Sequence, residues 1–318
     1  MKIAIIDPCL FTWPYTPLLC DSLSKNGCEV VLIASRFQFS IEEDTKKYAK
    51  LNHFYNKTFN LYNKPDRVFL KPYIKGLEHT YDMFRLVSIL ENISPDIIHY
   101  QISPIPFIDS IFLKRMRKIA PIVSTVHNTL PFHGDDSILQ RIGFNSFLAK
   151  FDHLIVHTKY SMNELNKMLK VPKDFVSVFY HPMLDQYIPK NILKNFHSPS
   201  KSTNQQTILF FGNISYYKGL DILISAFGKL SKDRLNKTLL RIVGSPKIPI
   251  NPIKMLAKEI GVEDRIIWDL RYIPDEEIPL IINDSTLICL PYRHIDGSGV
   301  FSTALCFGKP LVATKIGI

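Results

Sequence analysis

This chain lacks most of the signatures that assign a sequence to a class quickly. No apolar run approaches the length needed to cross a bilayer, so no transmembrane helix is expected. Met1-Lys2 leads directly into the strand-like I-A-I-I-D without an apolar leader, and the expectation is a cytoplasmic protein. Its cysteines, Cys9, Cys20, Cys28, Cys289 and Cys306, are scattered without metal or redox spacing and read as reduced thiols. Neither a P-loop nor a G-x-G-x-x-G occurs: where a P-loop requires Gly-Lys before Ser or Thr, the order here is Lys218-Gly219-Leu220. No nucleic-acid-binding module is recognisable and aromatics do not alternate with basic residues on any strand, so nucleic acid is not an expected partner.

What is present is a chain of 318 residues, enough for two ordinary domains, with 46% hydrophobic residues and a formal net charge of +10. That charge implies anionic partners, either phosphorylated small molecules or an anionic membrane. Strand and helix alternate from the start: strands at Ile3–Asp7, Glu29–Ser35, Asp96–Tyr100, Ile122–Val126, Leu154–His157 and Val176–Phe179, with helices between. Such alternation predicts an α/β fold with a parallel sheet whose ligands sit beyond the carboxyl ends of the strands. The loop Asp7–Pro17 holds three prolines and no glycine, so it cannot cradle a dinucleotide pyrophosphate. Residues 36–76 give no clear assignment. Met83, Leu86, Val87, Leu90 and Ile93 form a helical stripe ended by Pro95, and Ser161-Met162-Asn163-Glu164 reads as a capping box. The helix D-S-I-F-L-K-R-M-R-K-I clusters Lys114, Arg115, Arg117 and Lys118 beside Ile111, Phe112 and Met116. That cluster is either a solvated crossover face or a patch for anionic lipid headgroups.

Residues 183–206 turn polar and read as a linker between domains 1–182 and 207–318. The second domain opens with I-L-F-F-G-N-I-S-Y-Y-K-G-L-D, a buried strand turning at Gly212 into a helix that starts near Leu220. Lys218 stands just outside that helix, where free backbone N–H groups and the dipole favour an anion. The turn is either a phosphate site or an ordinary connection with a solvated lysine. Strands follow at Leu239–Val243, Ile266–Trp268, Leu287–Leu290 and Leu311–Thr314, and Asp275-Glu276-Glu277 reads as an acidic first helical turn. Gly297-Ser298-Gly299 opens a short helix and forms a second candidate anion cradle at the same end of the sheet. His127, at the end of its strand, points toward the first domain's crevice.

Taken in order, F-F-G-x-I-x-x-Y-K-G-L-D, L-P-Y-R, S-G-V and G-K-P-L-V-A-T resemble the nucleotide-sugar domain of glycosyltransferase family 4 (group 1). S-P-D-I-I-H, T-V-H-N and D-H-L-I-V-H-T resemble that family's acceptor-side domain. The resemblance implies a GT-B fold of two Rossmann-like, doubly wound domains. It implies retaining transfer of a sugar from a nucleotide-diphosphate sugar to a glycan or lipid-linked acceptor. Lys218 would hold the donor diphosphate, with Gly212, Asn213, Ser215 and Gly219 in the first cradle. Ser298, Gly299 and Val300 would bind the terminal phosphate, Arg271, Tyr272 and Ile273 would lie near the base, and His127 would act beside the sugar. No cofactor or metal is expected, in keeping with the absence of D-x-D. Three departures accompany the likeness. Asn213 and Ser215 stand where an arginine is usual, and Thr303 replaces the second glutamate of a pair whose first has only Asp296 as a stand-in. The sequence also stops at Ile318 before further family elements, so the second domain is expected to be incomplete. A non-catalytic relative and a GT-B sugar-nucleotide epimerase are the alternative expectations.

Overall fold

The computed structural model describes residues 1–10, 14–36, 47–58, 71–129, 141–183 and 205–316. They divide into two compact units, Met1–Tyr180 and His181–Ile318. The expected linker falls almost wholly outside the described residues, as does the middle of the loop from Asp7 to Pro17.

The first unit is built on seven strands: β1 (Lys2–Asp7), β2 (Glu29–Ser35), β3 (Ala49–Phe54), β4 (Ile97–Tyr100), β5 (Ile122–Thr125), β6 (His153–Val156) and β7 (Val176–Val178). All pair in parallel in the order β3-β2-β1-β4-β5-β6-β7. Helices α1 (Tyr15–Lys25), α2 (Lys71–Ile93), α3 (Pro106–Met116), α4 (Phe144–Leu148) and α5 (Lys159–Leu169) accompany it. β1 and β2 are continuous apolar runs because helices cover both faces, and Ile5, Ile6, Leu32 and Ile33 are fully buried. Met83, Leu86, Val87 and Leu90 form the buried face of α2, which extends back to Lys71. The unassigned stretch thus contributes the start of α2 and the edge strand β3, whose A-K-L-N-H-F is too polar to read as a strand because most of it faces water. The cap of α5 is also corrected. Thr158, extended beyond β6, accepts from the backbone N of Ser161 at 3.0 Å, and Ser161 already lies inside the helix.

The second unit repeats the plan with β8 (Gln206–Phe211), β9 (Thr238–Val243), β10 (Ile266–Asp269), β11 (Leu287–Leu290) and β12 (Leu311–Ala313), in the parallel order β10-β9-β8-β11-β12. Its helices are α6 (Leu220–Phe227), α7 (Lys232–Asn236), α8 (Asn251–Ile260), α9 (Ile278–Asn283) and α10 (Gly299–Cys306). Asp275, Glu276 and Glu277 precede α9 rather than forming its first turn, since Pro279 fixes the helix start and the Glu277 carboxylate is held by Arg271. β12 is the sheet's edge and leaves Val312 56% exposed. Each sheet reverses its winding beside its first strand, between β1 and β4 and between β8 and β11. A doubly wound sheet opens its ligand crevice at that reversal.

A wholly buried polar cluster braces the first unit. Asp109 of α3 accepts from Tyr100 Oη at 2.9 Å and Ser103 Oγ at 2.6 Å, and contacts His79 Nε2 of α2 at 2.5 Å. The other nitrogen of His79 meets Tyr55 Oη at 2.9 Å. Replacing Asp109 by alanine strands these partners without water. Asp109→Ala should therefore destabilise the first unit by about 3 kcal/mol or more. Hydrogen exchange would check this, with protection expected to fall in β1, β4 and α2 and to hold in β8 and β9.

Candidate functional site

In the second unit, β8 ends at Phe211 and the chain turns left-handed at Gly212, with φ of 101°. Ile214 N donates to the Ser245 carbonyl and Lys247 N to the Ile214 carbonyl, both at 2.9 Å, which ties this loop to the one after β9. A single tight turn, Tyr216–Lys218, leads to Gly219, the left-handed cap of α6. A methyl group on Gly219 would lie 2.1 Å from the carbonyl oxygen of Pro291, so glycine is required both by φ and by the approach of the loop after β11.

Lys218 is buried, which removes the solvated-turn reading. Its Nζ packs against Gly212, where an added methyl would come within 2.7 Å of it and within 3.3 Å of Val300 Cγ2. It also lies 5.9 Å from the centre of the Tyr292 ring, inside the range of a cation–π contact. Burial pulls its pKa from 10.5 to about 8, and no carboxylate among the described residues offsets that cost. On the other side, Tyr292 Oη contacts Ser298 Oγ at 3.3 Å. Ser298 caps α10 by accepting from Phe301 N at 3.1 Å. The N–H groups of Gly299 and Val300, in the first turn of α10, have no partner within the helix. The crevice beside the β8–β11 reversal therefore brings together Gly212, Lys218, Gly219, Ser298 and Val300, a buried cation beside a helix N-terminus. Such a site suits a phosphate or diphosphate.

The remaining expected residues are disposed differently. Asn213 is exposed and Ser215 buried, and neither supplies the missing guanidinium. Arg271, beyond β10, bonds Asp269 at 2.8 Å and Glu277 at 3.0 Å. Tyr272 is exposed and Ile273 is buried in the core, so Tyr272 is the freer ring and Ile273 a packing residue. Thr303 donates to the Gly299 carbonyl at 2.8 Å, so its hydroxyl serves the helix, while Asp296 is almost fully buried. One cation was missed: Arg293 donates to Asp221 Oδ1 at 2.8 Å and to the Tyr216 carbonyl at 2.9 Å, with its guanidinium over the Tyr216 ring at 4.3 Å. Arg293 holds the Asp221 carboxyl below its ordinary range. L-P-Y-R in the sequence marks the residue, but its pairing with a helix far earlier in the chain carries no local signal.

In the first unit, His127 lies beyond β5 and His157 beyond β6. His127 Nε2 contacts Gln101 Oε1 at 3.0 Å, and His127 Nδ1 contacts His157 Nε2 at 3.3 Å. His157 Nδ1 donates to the Phe179 carbonyl at 2.8 Å. Tyr15 of α1 stands edge-on to both rings, with centroids 4.9 and 5.0 Å away. His157 and Gln101 were not among the expected site residues, although D-H-L-I-V-H-T sets His157 just past a strand as T-V-H-N sets His127.

Comparison with known proteins follows the same division. Residues 15–183 match the family described as Glycosyltransferase Family 4, and residues 191–318 match Glycosyl transferases group 1. A GDP-mannose:glycolipid 4-beta-D-mannosyltransferase from Xanthomonas campestris is 27% identical over 195 residues, 61% of this chain and 50% of that protein. An uncharacterised glycosyltransferase from Methanocaldococcus jannaschii is 23% identical across 100% of this chain and 81% of its own length. Among solved structures, the Anabaena protein HepE in complex with UDP and glucose has a TM-score of 0.67 at 16% identity, covering 100% of this chain and 81% of that one. At that identity the likeness establishes the fold, two Rossmann-like units of GT-B type.

The buried ammonium makes a stability prediction. Its folded pKa, about 8, lies below the unfolded 10.5, so the unfolded chain binds more protons between those values. The cost of burying the charge is fully present below pH 8 and disappears as pH rises toward 10.5. It is on the order of 3 kcal/mol. Lys218→Met should accordingly raise the melting temperature of the second unit at pH 7, with the advantage over the unaltered chain shrinking as pH rises through that window. Calorimetry at several pH values would check both parts.

Proposed function

The chain belongs to glycosyltransferase family 4, group 1, and from that premise we propose that it moves a sugar from a nucleotide-diphosphate sugar to a glycan or lipid-linked acceptor with retention of configuration. The observation that carries the reading is Lys218, a buried cation that no carboxylate among the described residues offsets, set beside the first turn of α10. As the bond to the sugar breaks, negative charge grows on the departing diphosphate. A fixed ammonium and free N–H groups in a dry crevice stabilise it without reorganising. That role asks for no metal and no further cofactor. The pairing of Arg271 with Asp269 and Glu277 leaves the exposed Tyr272 as the better candidate for contact with the base. His127 is the first unit's candidate for contact with the sugar. The mannosyltransferase and HepE likenesses favour a nucleotide sugar as donor.

One observation favours a second reading, donor binding without efficient turnover. Thr303, where the family has a glutamate, spends its hydroxyl on the Gly299 carbonyl, and Asn213 and Ser215 stand where the family has an arginine. The two readings separate in a titration. Diphosphate beside Lys218 raises the lysine pKa, so binding takes up a proton above pH 8. The affinity for nucleoside diphosphates should then fall up to about tenfold per pH unit above that point. Lys218→Ala should remove this dependence, weaken binding by roughly 1.5–3 kcal/mol, and slow transfer about a hundredfold. Calorimetry in two buffers of different ionisation enthalpy reads the proton. Binding with proton uptake but no transfer would select the second reading, and binding indifferent to Lys218 would dismiss both.

The acceptor side carries a surface suited to a membrane. Tyr73, Leu77, Tyr81 and Phe84 form an exposed stripe along α2, and Phe107 and Ile111 stand exposed on α3. A groove between them is lined by Phe84, Ile111, Lys114, Arg115 and Lys118. Arg117 leaves the expected cluster, since its guanidinium is engaged by Asp152 and the Lys150 carbonyl. No helix among the described residues is long and apolar enough to cross a membrane. Aromatic and aliphatic side chains flanked by cations suit the surface of an anionic bilayer on its cytoplasmic side, which would bring a lipid-linked acceptor to the enzyme. Charge reversal at Lys114, Arg115 and Lys118 should abolish sedimentation with vesicles containing anionic lipid, whereas reversal at Arg117 should weaken it least. Sedimentation that ignores both salt and these changes would remove the membrane from the reading.

A further inference from the structure

The two helix N-termini at the crevice of the second unit are not equivalent. That of α10 is capped by the neutral hydroxyl of Ser298 and has no acidic residue in its first turn. That of α6, directly after Lys218 and Gly219, carries Asp221 in its first turn, where the helix dipole favours a carboxylate. Arg293, and after it the backbone N–H groups of Asp221 and Ile222, hold this carboxyl below its ordinary range, so it is charged at neutral pH. The first turn of α6 therefore already holds an anion of the chain's own, three residues beyond the lysine.

Left alone, that charge would work against the crevice. A partly buried carboxylate attracts the ammonium and repels a diphosphate, and at such a range the effect is on the order of tenfold in affinity. Arg293, in the loop after β11, removes it. The guanidinium meets both carboxylate oxygens as a fork, Nη1 to Oδ1 at 2.8 Å and Nη2 to Oδ2 at 2.5 Å. The same residue grips the turn that carries the lysine. Its backbone N donates to the Tyr217 carbonyl at 2.7 Å, and Nη1 donates to the Tyr216 carbonyl at 2.9 Å. Both carbonyls just before Lys218 and the carboxylate just after it are thus bound by one residue. A single lysine ammonium in its place could not form the fork.

We propose that Arg293 is a positioning residue for the anion site, which cancels the charge of Asp221 and fixes the turn so that Lys218 faces a phosphate ligand rather than the chain's own carboxylate. The role rests on the reading of this crevice as a diphosphate site. It assigns the two helix starts different tasks: α10 meets the ligand, while α6 is occupied by Asp221 and neutralised from across the crevice.

The test uses the full chain and two readouts. Calorimetry at pH 7 and low salt measures binding of UDP, GDP and inorganic pyrophosphate, and 13C NMR of the lysine ε-carbon follows the titration of Lys218. Arg293→Met keeps the main-chain bond to Tyr217 but frees the carboxylate; it should weaken binding at least fivefold and move the Lys218 midpoint upward. Adding Asp221→Asn to it should recover most of that loss and bring the midpoint back down. Asp221→Asn alone leaves the guanidinium uncompensated and should bind the probes at least twofold tighter, an advantage that 1 M salt removes because the Debye length falls to about 3 Å. A purely mechanical brace gives the opposite pattern, in which Asp221→Asn weakens binding and deepens the damage of Arg293→Met; that result would overturn the proposal. Should the unaltered chain bind none of the three probes, the diphosphate reading falls, and a Lys218 midpoint unmoved by Arg293→Met then dismisses the role of Arg293 as well. If Arg293→Met does not fold, the sign of the change in Asp221→Asn decides.

Discussion

Burying one ammonium group with no carboxylate beside it among the described residues is the constraint on which the second unit turns. Such a charge costs stability unless something anionic arrives, so the surrounding chain has to hold it in place against its own preference for water. Two loops do this through three sets of contacts. Gly219 presses its backbone against Pro291, the Tyr292 ring lies beside the ammonium, and Arg293 binds back to Tyr216 and Asp221. The loop after β8 and the loop after β11 meet because the winding of the sheet reverses between those strands. Topology supplies the crevice, and the lysine gives it a sign.

The two units share a plan but differ in the polar groups set at their reversals. In the second, the group is a buried ammonium that keeps its charge up to about pH 8. In the first, the edge carries imidazoles, an amide and hydroxyls that can each donate or accept, and behind them Asp109 and His79 lie sealed in the interior. A buried ammonium, charged below about pH 8, suits a ligand that always carries phosphate. A line of groups that can reverse their roles suits hydroxyl-bearing ligands, which offer both a proton and a lone pair.

Much of the fold could be read along the chain because both faces of β1, β2 and β8 are covered, which leaves continuous apolar runs at known spacing. β3 escaped notice because an edge strand wears polar residues on its open side. Ser161 was a plausible cap by composition, yet Thr158 won the role because the chain leaves β6 extended at that residue. Lys218 could be located from its neighbours in sequence, but its burial depends on Tyr292 and Val300, which reach it only through the folded sheet. The same applies to Arg117: its place on α3 was legible, while its bond to Asp152 was not. Side-chain partners drawn from distant strands are invisible to a reading that moves one residue at a time.

The main chain itself closes the remaining side of the cradle. A methyl group on Gly244, beyond β9, would lie 2.2 Å from the carbonyl oxygen of Gly212. The walls at this point are peptide groups, whose positions do not depend on which side chains surround them. Side chains such as Asn213, Tyr216 or Tyr272 can therefore be exchanged while the spacing of the cradle stays constant. An engineer has the same latitude and the same limit: the decorations can be redrawn by substitution, but the frame can be redrawn only by moving backbone.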